Sequence, residues 1–283
     1  MRRIAFTKMH GLGNDYIYVN TMEYPLENPS ELSVKWSDRH KGIGSDGLIL
    51  IGSSDKADFS MRIFNADGSE GLMCGNGARC VGRFIHDKGL SDKTLITLET
   101  LSGIKVLRLH LDGAGQVVDV DVDMGKGIPL EVILPDGSRG NWILGDLFAC
   151  GKRFRGTAVD VGNPHLVLFV PDAVAAPVSE AGPLLEKGPM FPHKANIEFA
   201  QVIDESHIRM RVWERGSGIT QACGTGACAT AVASAMAGYT RADGCTVIMD
   251  GGALDISWDP VTKEIRMTGT ATSVFEGTIE MED

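Results

Sequence analysis

Two cysteine-containing segments of the chain share one pattern. Cys74 and Cys223 each stand directly before Gly-x-Gly-Ala, and each is followed by a segment of helical composition, 78–88 in the first copy and 227–237 in the second. A cysteine at a helix start lies beside unpaired backbone N–H groups and a partial positive charge, which lower a thiol's pKa and can hold an anion. Flanking glycines let a ligand approach the backbone closely. The repeat therefore predicts a pair of activated thiols facing one substrate.

Two such thiols can invert the configuration of a carbon atom that carries one acidic hydrogen. One thiolate removes the proton while the other thiol delivers a proton to the opposite face. The N–H groups beside each cysteine would bind the substrate carboxylate and stabilise the carbanion-like transition state.

Other roles remain open for each cysteine taken alone. A free cysteine is among the most often buried residue types, so an inert core position is the ordinary explanation for one of them. At helical spacing, Cys74 and Cys80 do not share a face, nor do Cys223 and Cys228. No Cys-x-x-Cys or His-x-x-x-His spacing occurs in the chain, so neither a disulfide within one copy nor a metal site is predicted.

Composition limits the class of protein. The chain has 283 residues, 43% of them hydrophobic, and a formal net charge of −10. That charge argues against nucleic acid or an anionic membrane as the main partner. The first residues lack the apolar stretch of a signal peptide, and no later run approaches a membrane span. We expect a soluble cytoplasmic protein whose six cysteines are reduced.

Strand patterns separated by glycine and aspartate turns dominate the elements that must position these cysteines. In the first half the patterns predict helices at 30–39 and after Cys74, and strands at 4–7, 16–20, 48–52, 59–65, 95–100, 103–111 and 117–122. In the second half they predict a helix after Cys223 and strands at 156–161, 165–169, 196–203, 207–213, 245–249, 255–258 and 264–268.

The similar order of elements in the two halves predicts an α+β protein of two pseudo-symmetric domains. One domain would comprise residues 1–123 and 271–283 with Cys74, and the other residues 124–270 with Cys223. Because ligand sites favour domain interfaces, the active site is expected in the cleft between them.

A glycine-rich segment imitates a dinucleotide-binding motif. Residues 42–47 match G-x-G-x-x-G, but they lead into 48–51, which reads as a strand. The nucleotide-binding motif needs a strand before it and a helix after it, so no cofactor is predicted at this segment.

Several motifs together resemble the diaminopimelate epimerases, pyridoxal-independent amino-acid epimerases of lysine and peptidoglycan precursor biosynthesis. The resemblance spans nearly the whole sequence and rests on residues 8–15, 62–70, 74–79, 162–165, 196, 213–216 and 223–227. It implies a barrel-like sheet around a central helix in each half, and interconversion of L,L- and meso-diaminopimelate. It also implies a homodimer without cofactor or metal.

The resemblance assigns roles residue by residue. Cys74 and Cys223 correspond to the acid/base pair. The remaining positions fall into three groups: amides that hold the reacting carboxylate, at Gly75, Asn76, Gly224 and Thr225; substrate-binding side chains, at Asn14, Asn65, Asn163, Asn196 and Arg215; and groups near the reacting amino group, at His165 and Glu214.

Each polar residue also has an ordinary structural explanation. Asn14 and Asn163 lie in loops flanked by glycine, where asparagine often closes a turn. His165 could be a satisfied structural histidine, and Glu214 with Arg215 an ordinary surface pair. The forked guanidinium of arginine nevertheless suits a substrate carboxylate.

Two positions depart from the family pattern. Gly47 stands where some members have a glutamine that contacts substrate, so that contact is missing or supplied by another group. Phe275 stands where the family often has a tyrosine at its dimer contact, which predicts a homodimer held by packing.

Three other functions remain as alternatives. Proline racemases and hydroxyproline epimerases also use a cysteine pair, but their substrates would leave Asn65, Asn196 and Arg215 without a second amino-acid end to bind. Phenazine-biosynthesis-like isomerases rely on an acidic residue, which the paired Cys-Gly motifs do not favour. The last alternative is a non-enzymatic binding protein that retains the cleft.

Overall fold

The computed structural model describes residues 2–281, which form two compact units. One unit comprises the described chain up to Val122 and from Thr268 onward, and the other comprises Asp123–Met267. Within the described residues, no helix is long and apolar enough to cross a membrane.

The first unit is built mainly from strands. Its elements are β1 (Arg2–Gly11), β2 (Asn14–Asn20), α1 (Pro29–Ser37), β3 (Gly47–Gly52), β4 (Phe59–Asn65), β5 (Glu70–Gly71), α2 (Gly75–Asp87), β6 (Leu95–Thr100), β7 (Gly103–Leu111), β8 (Val117–Lys126) and β21 (Thr272–Met281).

These strands form a sheet that curves around α2. The pairing runs β21, β1, β2, β3, β4, β6, β7 and β8, and only the β2–β3 and β4–β6 pairs of this series are parallel. Helix α2 packs against β1, β2 and β7, and the glycines on its inner face approach β3, β4 and β8. Helix α1 covers the opposite face, where Trp36 packs with Ile17 and Leu48.

The second unit repeats this construction. Its elements are β9 (Ile128–Pro129), β10 (Glu131–Ile133), β11 (Arg139–Asn141), β12 (Gly145–Ala149), β13 (Lys152–Asp160), β14 (Pro164–Phe169), α3 (Val178–Glu186), β15 (Asn196–Asp204), β16 (His207–Glu214), β17 (Gly218–Thr220), α4 (Gly224–Met236), β18 (Cys245–Met249), β19 (Gly252–Trp258) and β20 (Glu264–Gly269).

Strand directions match between the units. The pairing runs β12, β13, β14, β15, β16, β18 and β19, with parallel pairs at β14–β15 and β16–β18. Helix α4 packs against β13, β14, β15, β16, β18 and β19. The short strands β5 and β17 pair with β4 and β16, at equivalent places. The predicted α+β class, with two pseudo-symmetric halves of sheet around a helix, is confirmed.

Some predicted elements differ in length, and others went unpredicted. The helix predicted at 30–39 ends at Ser37, and β1 and β19 extend beyond their predicted ends. Helix α3 was not predicted because Gly182 and Pro183 stand inside it, and both residue types disfavour helix interiors. Strand β21 was not predicted because most of its residues are exposed, which leaves no clear alternation.

The glycine at position 47 is explained by its backbone surroundings. Gly47 begins β3, one residue before the strand predicted at 48–52, and pairs with Tyr16 and Asn65. A Cβ at this position would lie 2.2 Å from the Phe64 carbonyl oxygen and 3.0 Å from Cε1 of Tyr16. The family's glutamine therefore does not fit this backbone without a shift of β4.

We predict that Gly47→Ala lowers the free energy of unfolding by about 1–3 kcal/mol, because the added methyl group overpacks the β3–β4 contact. Urea denaturation followed by circular dichroism measures this change. Gly113→Ala is the matched control, since nothing lies within 4 Å of a Cβ there, and it should change stability by less than about 0.5 kcal/mol. Equal stability of both variants would contradict the steric explanation.

Candidate active site

Cys74 occupies the N-cap of α2, as the sequence predicted. Its backbone is extended, and its Sγ accepts a hydrogen bond from the N–H of Gly77 at 3.4 Å. The first intrahelical bond runs from Ala78 N–H to Cys74 O. The N–H groups of Gly75 and Asn76 therefore belong to the open first turn, where an anion can bind.

Asn14 connects this thiol to a charged network. Its Oδ1 lies 3.4 Å from Cys74 Sγ and 3.4 Å from Asn76 Nδ2, and its Nδ2 donates to Asp46 at 2.8 Å. Asp46 also binds Arg39, which reaches Asp15 in turn. Asn14 is thus oriented by its neighbours and does more than close a turn.

Helix α2 carries near its start a buried cation that sequence reasoning missed. Arg79 is fully buried, and its Nη2 donates to Asn76 Oδ1 at 2.9 Å. Its Nε donates to the Thr270 carbonyl. An arginine inside an otherwise apolar helix face was the available sequence signal.

Tyr16 is a second missed neighbour of Cys74. It lies on β2 directly after the Asn14–Asp15 pair and is buried. Burial, and then the nearby Cys74, raise the pKa of Tyr16 far above its ordinary value. A neutral phenol therefore faces the thiol.

Asn65 is held at the end of β4, where the chain turns toward β5. Its Nδ2 donates to Ser69 Oγ at 3.0 Å, and its carbonyl accepts from Ser33. The structure gives Asn65 no hydrogen bond to Cys74 among the described residues, so its role at the substrate stays a prediction.

Cys223 repeats the arrangement of Cys74 at the start of α4. It is the N-cap in extended conformation, and its Sγ accepts from Gly226 N–H at 3.4 Å. The hydroxyl of Thr225 lies 3.5 Å from the same sulfur. The amides of Gly224 and Thr225 form the matching open turn.

Three of the predicted polar residues meet at His165. This imidazole is fully buried, with Nε2 3.0 Å from Asn163 Oδ1 and 3.4 Å from Asn196 Nδ2. Its Nδ1 lies 2.7 Å from Oε1 of Glu198, a buried carboxylate that was not predicted. A charged residue among the apolar residues of β15 was the signal for Glu198.

Within the described residues, Glu214 and Arg215 bind other partners and not each other. Glu214 accepts from the Thr220 hydroxyl. The Arg215 backbone N–H donates to Asn196 Oδ1 at 2.7 Å, and its guanidinium binds the His193 carbonyl at 3.0 Å. The guanidinium group is exposed, and its hydrogen bond to the His193 carbonyl helps to hold it in place.

The expected lowering of the thiol pKa values is wrong for both cysteines. Burial raises the pKa of Cys74, against the opposing effects of the Gly77 N–H and Arg79. Burial also raises the pKa of Cys223 well above its ordinary value, and the carboxylates of Glu214 and Glu198 add to it. Desolvation of the thiolate outweighs the helix start in both units.

All six cysteines are free thiols. Within residues 2–281, no three His, Cys, Asp or Glu side chains come together in a way that could hold a metal ion.

Comparison with known proteins identifies the family. A profile of the family described as diaminopimelate epimerase matches residues 6–128 and 157–274. A protein named diaminopimelate epimerase from Bacteroides thetaiotaomicron is 57% identical over 278 residues, covering 98% of each chain. Another from Methanococcus maripaludis is 50% identical, covering 98% of this chain and 100% of its own. The chain belongs to the diaminopimelate epimerase family.

Solved structures with this epimerase fold extend to other activities. A PhzF-family phenazine biosynthesis protein from Bacillus anthracis has a TM-score of 0.70 at 17% identity, covering 99% of this chain and 100% of its own. A hydroxyproline epimerase from Agrobacterium vitis has a TM-score of 0.68 at 14% identity, covering 99% and 91%. At these identities the likeness concerns the fold alone.

We predict that Thr225→Val raises the pKa of Cys223 further, because the Thr225 hydroxyl favours the thiolate and valine removes only that hydrogen bond. The rate of alkylation by iodoacetamide, followed against pH by peptide mass, measures the change. Cys74 in the same molecule is the control and should keep its profile. A profile of Cys223 unchanged or moved to lower pH would contradict the prediction.

Proposed function

We propose that the chain interconverts L,L- and meso-diaminopimelate without a cofactor, by proton transfer at one α-carbon between Cys74 and Cys223. Membership of the family supports the reaction. The observation that carries the mechanism is that both cysteines are N-caps of equivalent helices, each followed by two amides in an open first turn.

The proton transfer balances with one thiolate and one thiol. The thiolate takes the α-proton from one face, and the opposite thiol gives its proton to the other face. Configuration is inverted, and the two sulfurs exchange protonation states. The reverse reaction uses each cysteine in the other role.

The amides of both helix starts are proposed to bind the α-carboxylate. Gly75 and Asn76 contribute N–H groups from α2, and Gly224 and Thr225 contribute them from α4. These donors would stabilise the charge that develops as the α-carbon loses its proton, because they are fixed before the reaction begins.

Substrate binding is proposed to activate the thiols that burial holds protonated. The substrate brings an α-ammonium group next to the sulfur, and a nearby positive charge favours the thiolate. His165 and Glu214 are proposed to orient this ammonium group.

The distal amino-acid end is proposed to select diaminopimelate. Asn14, Asn65, Asn163, Asn196 and Arg215 are its binding residues, with Arg215 fitted to a carboxylate by its fork of donors. Proline and hydroxyproline have no second amino-acid end and would leave these groups without partners. A reduced, cytoplasmic setting suits a reaction that needs two free thiols.

Proton NMR of the reduced protein with L,L-diaminopimelate in heavy water tests the reaction. We expect loss of the α-proton signal and appearance of the meso isomer. Proline and hydroxyproline serve as comparison substrates and should show no exchange. Absence of α-proton exchange with diaminopimelate, together with exchange with proline or hydroxyproline, would overturn the proposal.

Replacing either thiol should abolish turnover while the fold remains. We expect Cys74→Ala and Cys223→Ala each to lower the rate of epimerisation by about 10²–10⁴-fold or more, because each removes an acid/base group. Cys150→Ala is the control, since this cysteine is exposed in a turn. Near-normal turnover in either variant would exclude the two-base mechanism.

We also propose that the protein is a homodimer formed through β21. The strand is largely exposed, with Val274 54% and Phe275 48% accessible. The Phe275 ring packs edge-on against Phe6, which fixes it at this surface. Exposed apolar side chains on a long strand suit association with a second copy.

Phe275→Glu should therefore convert the protein to a monomer, because it places a charge in the apolar contact. Sedimentation velocity measures the change. Val261→Glu, in the turn between β19 and β20, is the exposed control and should leave the dimer intact. A wild-type protein that sediments as a monomer would contradict the dimer itself.

A further inference from the structure

The two units differ at one equivalent position beneath their cysteines. In each unit the third helical residue is a glycine, Gly77 in α2 and Gly226 in α4. A Cβ on Gly77 would first meet Cδ1 of Ile49, at 2.7 Å, whereas a Cβ on Gly226 would first meet Oε1 of Glu198, at 3.0 Å. Ile49 and Glu198 occupy equivalent positions in the registers of their strands. Ile49 pairs with Tyr18, which lies two residues after Tyr16, and Glu198 pairs with Val167, which lies two residues after His165. An apolar side chain under Cys74 is thus replaced by a carboxyl group under Cys223.

The hydrogen bonds of Glu198 do not compensate for the free-energy cost of burying its carboxyl group. Its side chain is fully buried, and its neighbours along the strand, Ile197 and Phe199, are core residues on the other face. Oε1 meets His165 Nδ1 at 2.7 Å, but Oε2 has no hydrogen-bond partner among the described residues. A half-satisfied buried carboxyl group is costly. Packing alone would favour a residue such as the isoleucine of the other unit.

The carboxyl group is also close to the sulfur of Cys223. Oε1 of Glu198 and Sγ of Cys223 both lie within 3.3 Å of the point where a Gly226 Cβ would stand. The two atoms are therefore no farther apart than twice that distance. At such a separation in a buried site, a carboxylate opposes the formation of a thiolate.

Other charged groups around the two thiols increase the difference in how readily each forms a thiolate. Glu214 on β16 adds a second carboxylate near Cys223, and His165 on β14 faces Glu198. Of the carboxylates on other strands packed against α4, Asp160 on β13 binds the Gly162 N–H and Asp255 on β19 binds the Thr246 hydroxyl.

The other thiol has a cation as its charged neighbour. Cys74 lies near the buried guanidinium of Arg79, which favours its thiolate.

We propose that Glu198 makes the two thiols unequal, keeping Cys223 as the thiol while Cys74 supplies the thiolate. Resting on the proposed function, this means that Cys74 is the thiol that loses its proton more readily and acts as base, while Cys223 keeps its proton and acts as acid. Glu198 acts through Cys223 and does not itself touch the substrate. It is a positioning residue for the proton.

Alkylation of each cysteine against pH, without substrate, tests this separately from the epimerase reaction. Iodoacetamide is applied to the full chain, and the peptides of Cys74 and Cys223 are quantified by mass spectrometry. The midpoint of each cysteine is the pH at which its alkylation rate is half-maximal. In the wild type we expect the midpoint of Cys223 to lie about one pH unit or more above that of Cys74. Equal midpoints, or the reverse order, would overturn the proposal.

Two substitutions separate charge from packing. Glu198→Gln should lower the midpoint of Cys223 by about one pH unit and leave that of Cys74 in place. Glu198→Asp keeps the charge and should stay near the wild type. If the aspartate variant shifts as far as the glutamine variant, or if neither shifts, charge is not the cause.

Glu186→Gln is the matched control. Glu186 is also buried, but its Oε2 accepts from Trp213 Nε1 at 2.9 Å on helix α3, which packs on the opposite face of the sheet. Its substitution should move neither midpoint. Absence of diaminopimelate epimerisation by the wild type would overturn the proposed function, whereas the Glu198 proposal is decided by the alkylation midpoints alone.

Discussion

The hydrogen bond from a helix N–H group to a cysteine sulfur is the interaction on which each unit is organised. It requires an extended cysteine followed by a turn without bulky side chains, because the strand below lies directly under the third helical residue. A Cβ on Gly77 would already meet Ile49 at 2.7 Å. In the first unit the same close approach brings the helix start next to Asn14, the first residue of β2.

Burial and the hydrogen bonds at the helix start act on the pKa of these sulfurs in opposite directions, and burial prevails. The N–H groups and the helix start favour a thiolate, but the loss of water around it costs more. A site of this kind holds its protons until a charged ligand enters. The protein is thereby protected from unproductive reactions of a permanent thiolate.

Much of this architecture could be predicted from the sequence. Two Cys-Gly-x-Gly-Ala segments and the alternating strands were sufficient to place both caps and the repeated sheet. Helix α3 could not be predicted, since packing of Ala181 and Val178 on the core overrides Gly182 and Pro183. The sign of the thiol pKa shifts could not be predicted either, because burial and the approach of Glu198 to α4 depend on long-range folding. The partnership of Tyr16 with Cys74 joins distant segments in the same way.

The pairing of β21 with β1 makes the first unit discontinuous in sequence. Arg2 pairs with Met281, so β1 cannot complete its pairing until β21 has been synthesised. The second unit, by contrast, is continuous from Asp123 to Met267. During synthesis the second unit can therefore complete its sheet first, while β1 keeps an unpaired edge until β21 has been made. The half that holds Cys74 is in this sense the later of the two to mature.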